Sequence, residues 1–187
     1  LIITGVALLS ICGFVSLVLI WAAATKTLPI SESDTQVIVT ANDLVPYFDD
    51  YAPTIEHESF QKLQYLDQSV ELTYEYDSPN ENDPFVSTTI SYERNKGDAS
   101  GVYLATWTFQ KLGLKSEDQK FELEELDSFY SIGDRSRFAN IMYGSEPVGH
   151  LFLVQKGNTV YSFILTGFLI EDPSVWKELF SERIQNL

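Results

Sequence analysis

The order of apolar and polar positions divides this chain into two unequal parts. Leu1 to Thr25 holds no charged side chain, and every acidic and basic group falls between Lys26 and Leu187. A helix of that first length rises about 37 Å, enough to cross a hydrocarbon core of about 30 Å with some tilt. Thirteen of the first twenty residues are Leu, Ile, Val or Phe, and side chains of this kind together favour insertion by roughly 4 to 8 kcal/mol. Trp21 falls where such a helix reaches the headgroups, and Lys26 where it leaves them. The pattern predicts a single transmembrane helix over 1–25, a tether over 26–36 broken by Pro29, and one extramembrane domain over 37–187.

Two rival readings use the same run. Ala22 to Ala24 offers the small residues of a signal-peptide cleavage site, but the apolar stretch is longer than the roughly 7 to 15 residues usual for such a core. Cys12 would be the acceptor in a lipoprotein, yet bulky Ile11 precedes it. Within the span, Ala7, Ser10, Gly13 and Ser16 recur every third residue, a narrow stripe along which a second membrane helix could approach.

Past the tether the period shortens and lengthens by turns. A short helix is expected over Asn42–Phe48, capped by Asn42 or Asp43. Strands are expected over Ser59–Leu66 and over Ser69–Tyr76, where Val70, Leu72, Tyr74 and Tyr76 alternate with Glu71, Thr73 and Glu75. A polar loop from Asp77 to Pro84 leads to a strand over Phe85–Tyr92. Asp98 then caps a helix to Leu112, whose Val102, Ala105, Thr106, Phe109 and Leu112 form the stripe expected to pack on the sheet, with Gly113 as its stop. Four more strands follow, Phe121–Leu126, Arg137–Tyr143, Val148–Gln155 and Thr159–Leu169, the last two joined by the hairpin signal Gly157-Asn158. Asp172 and Pro173 open a closing helix with Val175, Trp176, Leu179, Phe180 and Ile184 on its apolar face.

Strands, helix, strands, helix is the order of an α+β fold, here a mostly antiparallel sheet flanked by helices. In this layout the domain resembles membrane-associated accessory domains of the PsbP type, which implies helices set against an antiparallel sheet. Both halves end in a helix, which hints at a duplication, although the residues of the halves do not align.

Charge narrows the company the domain keeps. The net charge is −15, so phosphate backbones and anionic lipid surfaces repel it, and nucleic acid is excluded as a partner. Such a field suits solubility beside a membrane or the steering of a basic soluble protein. No positive cluster follows the apolar run, which places the domain outside the cytoplasm. The single cysteine lies in the apolar run, so neither an internal disulfide nor a thiolate metal site is available to the domain.

Candidate chemistry is sparse. His57, between Glu56 and Glu58, has ligand-type neighbours, but adjacent residues of a strand cannot all face one ion. His150 is expected to share a face with Val148, Phe152 and Val154 as a half-buried structural histidine. It would be the general base of a hydrolase only if a nucleophile lay within reach, and no nucleophile elbow is present. The loop from Asp77 to Asp83 lacks the ligand order of a calcium loop. The acidic run Glu117, Asp118, Glu122, Glu124, Glu125 and Asp127 reads as a solvated strand face. The aromatics Tyr103, Trp107, Phe109, Phe129, Tyr130, Tyr143, Phe163 and Phe168 could line a ligand pocket, or simply join helix to sheet. No cofactor or metal is called for. The reading these features support is a single-pass, non-enzymatic accessory subunit of a larger integral-membrane complex. The alternative is a membrane-anchored sensor of a small apolar ligand.

Overall fold

Period-2 alternation becomes an eight-stranded antiparallel sheet. The computed structural model describes residues 24–49, 51–79, 84–113 and 121–187. The strands are β1 (Ala24–Thr27), β2 (Glu58–Tyr65), β3 (Val70–Asp77), β4 (Phe85–Tyr92), β5 (Phe121–Glu125), β6 (Arg135–Tyr143), β7 (Glu146–Lys156) and β8 (Thr159–Thr166). Helices α1 (Glu32–Val37), α2 (Lys96–Gly113) and α3 (Pro173–Gln185) accompany them, with 3₁₀ turns at Ala41–Tyr47 and Ile55–His57. The order across the sheet is β1-β2-β3-β4-β8-β7-β6-β5. It is two four-stranded meanders joined back to back, with β4 and β8 paired antiparallel from Phe85↔Thr166 to Tyr92↔Thr159.

Alternation assigns the faces. Leu72, Tyr74, Tyr76, Val86, Ile90, Phe152, Val154, Tyr161, Phe163 and Leu165 point to one face, called the front, and form the main core with Trp176, Leu179, Phe180 and Ile184 of α3. The rings of Phe138, Phe152, Phe163 and Phe180 all surround Trp176, with centroids 4.6 to 6.0 Å from it. Asp172 caps α3 by accepting from Ser174 N–H at 2.8 Å, and Pro173 takes the first helical position, where its missing N–H costs nothing. At the other end Lys156 Nζ donates to the free carbonyls of Ile184 and Gln185.

The back face is a second layer. Ala99, Tyr103 and Trp107 of α2 pack on Phe121, Ala139, Ile141, Leu151, Leu153 and Val160. This corrects the expected stripe: Phe109 is 64% and Leu112 61% exposed, and Ala105 faces solvent as well. The helix is apolar on nearly every side, so periodicity could not choose which side the sheet takes.

Residues 26–36, expected to be a tether, are built into the fold. Ala24 and Thr25, the last two positions of the predicted span, belong to β1, which pairs with β2. Ser31 then forms a capping box with Asp34: Ser31 N–H donates to Asp34 Oδ2 at 2.7 Å and Asp34 N–H to Ser31 Oγ at 3.3 Å. Residues 38–41 cross the front as a strap, with Val39 N–H donating to Tyr161 Oη, Ala41 N–H donating to Tyr74 Oη and Thr88 Oγ1 donating to Val39 O. The rest of the predicted span, with Ala7, Ser10, Gly13, Ser16 and Trp21, lies outside the described residues. Among the described residues no helix is long and apolar enough to cross a membrane.

Candidate functional site

His150 is buried on the front, between Phe138 at 5.4 Å and Trp176 at 5.3 Å between ring centres. Its Nε2 accepts from Ile170 N–H at 2.9 Å, so the proton of the neutral ring sits on Nδ1, which has no hydrogen-bond partner. Burial alone lowers its pKa to about 4. A histidine held neutral, with its one acceptor committed to a backbone amide and no hydroxyl or thiol on it, is a structural post. One neighbour differs from expectation. Ile141 pairs with Gly149 and Met142 with Pro147, so Val148 is the extra residue of a bulge and packs with the back cluster instead. Gly149 beside it is obligatory, because a Cβ there would stand 2.1 Å from Leu165 O.

His57 ends a 3₁₀ turn and meets the edge of the Tyr76 ring. Its neighbour Glu58 is committed to Asn42 Nδ2 and Tyr74 Oη. Among the described residues no group of three His, Cys, Asp or Glu side chains is placed to hold a metal ion. Of the loop from Asp77 to Asp83, positions 80–83 lie outside the described residues, as do Glu117 and Asp118. Lys26 is exposed on β1, opposite Gln64.

The acidic strand is an edge. Glu122, Glu124 and Glu125 of β5 are exposed while Phe121 is buried, and Glu125 pairs with Lys111 at 3.0 Å. Charge at a sheet edge discourages pairing with a further strand. Beside it, an open cleft of about 360 Å³ is lined by Glu125, Asp127, Ser128, Tyr130, Ser136 and Arg137 among others. Its lining is largely polar, unlike the aromatic pocket contemplated from the sequence. Most of those aromatics serve packing: Tyr103, Trp107 and Phe163 are buried, and Phe129, Tyr130 and Phe168 flank the front core.

The back of the first meander is different again. Gln61, Thr73, Glu75, Ser87 and Thr89 share it by register with Glu71 and Ser91. Burial raises the pKa of Glu71, whose Oε1 accepts from Tyr65 Oη at 3.0 Å. Glu75 is raised by burial and by the Asp77 carboxylate. Leu63 and Phe85 are buried on the same face, but its majority of hydroxyls, amide and carboxyls contrasts with the Ala, Ile, Leu and Val under α2.

The sequence-predicted residues therefore do not converge on one centre. The feature that periodicity missed is the outer side of α2, where Leu104, Phe109 and Leu112 are all exposed. The twelve residues from Ala99 to Gln110 contain no charge, and that gap in an acidic chain is the signal that could have found it. Comparison with protein-family models, curated proteins and solved structures finds no match.

Proposed function

We propose that this chain is a non-enzymatic accessory subunit, held by one membrane helix formed from its apolar N-terminal run, whose acidic α+β domain projects out of the cytoplasm and stabilises or extends a larger membrane protein complex. The observation that carries this reading is the junction at Ala24. With Ala24 and Thr25 given to β1, the 23 residues before them still hold no charge and as a helix would rise about 34 Å. A span running directly into a hydrogen-bonded edge strand holds the sheet against the headgroups, as suits a domain that works on a membrane neighbour. The stripe Ala7, Ser10, Gly13 and Ser16 would set the helix against that neighbour, and Trp21 and Lys26 would fix its depth. The acidic surface favours basic partners, a small soluble protein included.

Gentle detergent extraction of the full chain from its own membrane tests the reading. Co-migration with a stoichiometric set of multi-span proteins is the expected result, lost when Ser10 and Gly13 are both replaced by Leu. Migration of the chain without larger partners would overturn it and move attention to ligand binding.

A further inference from the structure

We propose that α2 is a self-association surface, on which a second copy of this chain packs its own α2 antiparallel. The helix is apolar on two sides and the sheet uses only one. Tyr103 and Trp107 are buried against the sheet, whereas Leu104, Phe109 and Leu112 are 49%, 64% and 61% exposed. Gly101 and Ala105 lie exposed between them, and a Cβ built on Gly101 would meet nothing within 4 Å. On a chain of net charge −15, this charge-free surface is where two copies can approach without repulsion.

The spacing names the occupant. Gly97, Gly101 and Ala105 stand four apart and make a shallow groove; Leu104, Thr108 and Leu112 stand four apart and make the ridge beside it. An antiparallel pair centred between Leu104 and Ala105 sets Ala105 against Leu104, Gly101 against Thr108 and Gly97 against Leu112, so each small residue receives a larger one. The same register brings Asp98 of one copy to Lys111 of the other. Within one copy Asp98 pairs with Arg94 at 2.9 Å and Lys111 with Glu125 at 3.0 Å; Arg94, Lys111 and Glu125 are exposed and Asp98 is half-buried. In the pair these become a quartet of alternating sign at each end. Complementarity of one helix face to itself is the signature of an isologous two-fold contact.

The test uses the full chain in mild detergent, with mass read by light scattering and folding by circular dichroism. A dimer is expected. Leu104→Asp, on a side chain already half exposed, should leave the fold intact and weaken association by roughly a hundredfold or more, because two unpaired carboxylates would be buried at the centre of the pair. Asp98→Lys should weaken it as well, and adding Lys111→Asp should restore it. In a Cys12→Ser background, Ala105→Cys should oxidise to a covalent dimer while Lys177→Cys, exposed on α3, should not. A monomeric parent chain, or a dimer indifferent to Leu104→Asp but lost on replacing Ser10 and Gly13 by Leu, would overturn the proposal and assign the α2 face to another occupant.

Discussion

The two meanders share a topology and differ in what lies behind them. Exchanging each strand for the one four places later maps the order β1-β2-β3-β4-β8-β7-β6-β5 onto itself, and each meander is followed by a helix. On the front they are equals, since β3 and β4 supply Leu72, Tyr74, Tyr76, Val86 and Ile90, and β7 and β8 supply Phe152, Val154, Tyr161, Phe163 and Leu165. On the back they part: the second meander presents Ala139, Ile141, Leu151, Leu153 and Val160 to α2, the first mainly polar Thr73, Glu75, Ser87 and Thr89 beside Leu63 and Phe85. Topology therefore does not decide how apolar a sheet face becomes. A strand apolar on both sides, such as β7, requires cover twice; a strand that alternates, such as β3, requires it once.

The shared front gives the largest expected effect. Trp176→Ala removes the ring around which both meanders pack, and urea denaturation should show a loss of about 3–5 kcal/mol. A loss below about 1 kcal/mol would mean the halves do not share one core. On the back, Leu151→Ala under α2 should cost about 2–5 kcal/mol, whereas Thr73→Ala in the first meander should cost far less. Equal losses in the same assay would erase the distinction between the halves.

Acid should separate the two faces next. Unfolded, His150 takes up a proton near pH 6.5; folded, burial holds that event down to about 4. Its contribution is complete above pH 6.5 and falls as pH drops towards 4, by about 3 kcal/mol at most. His150→Leu should flatten that limb in a pH series of melts. Glu71 and Glu75 carry the opposite sign, because burial raises their folded pKa and their ionisation costs stability as pH rises through and beyond the carboxylate range. Glu71→Gln should raise the Tm at pH 7, the smallest of these effects, and the gain should vanish at acid pH. A lower Tm at pH 7 would show that the first meander's back tolerates its charge.

Seven of the eight strands and the two long helices were legible from alternation, from Gly157-Asn158 and from the Asp172-Pro173 start. What escaped did so for physical reasons. β1 has four residues at the end of an uncharged run, too few to display a period. The capping box of α1 uses Asp34 where Glu or Gln is commoner, and Pro29 just before it reads as a break. The buried stripe of α2 is ambiguous in the sequence because a helix apolar on both sides gives two answers to one question. For the candidate site, His57, His150 and the acidic run were visible as residue types, but His150's commitment to the Ile170 amide depends on a contact twenty residues away that no local pattern records.

The seam between β4 and β8 also sets a timetable for biosynthesis. Its partners lie roughly 70 to 80 residues apart in the chain, and at about 5–20 residues per second a ribosome needs roughly four to sixteen seconds to make that stretch. Throughout that interval β4 is a nascent edge, with Val86 and Ile90 awaiting the partners they meet in the finished core. The first meander is thus born before the strand that completes it, and whatever shields β4 during those seconds governs how much of the chain reaches its folded state.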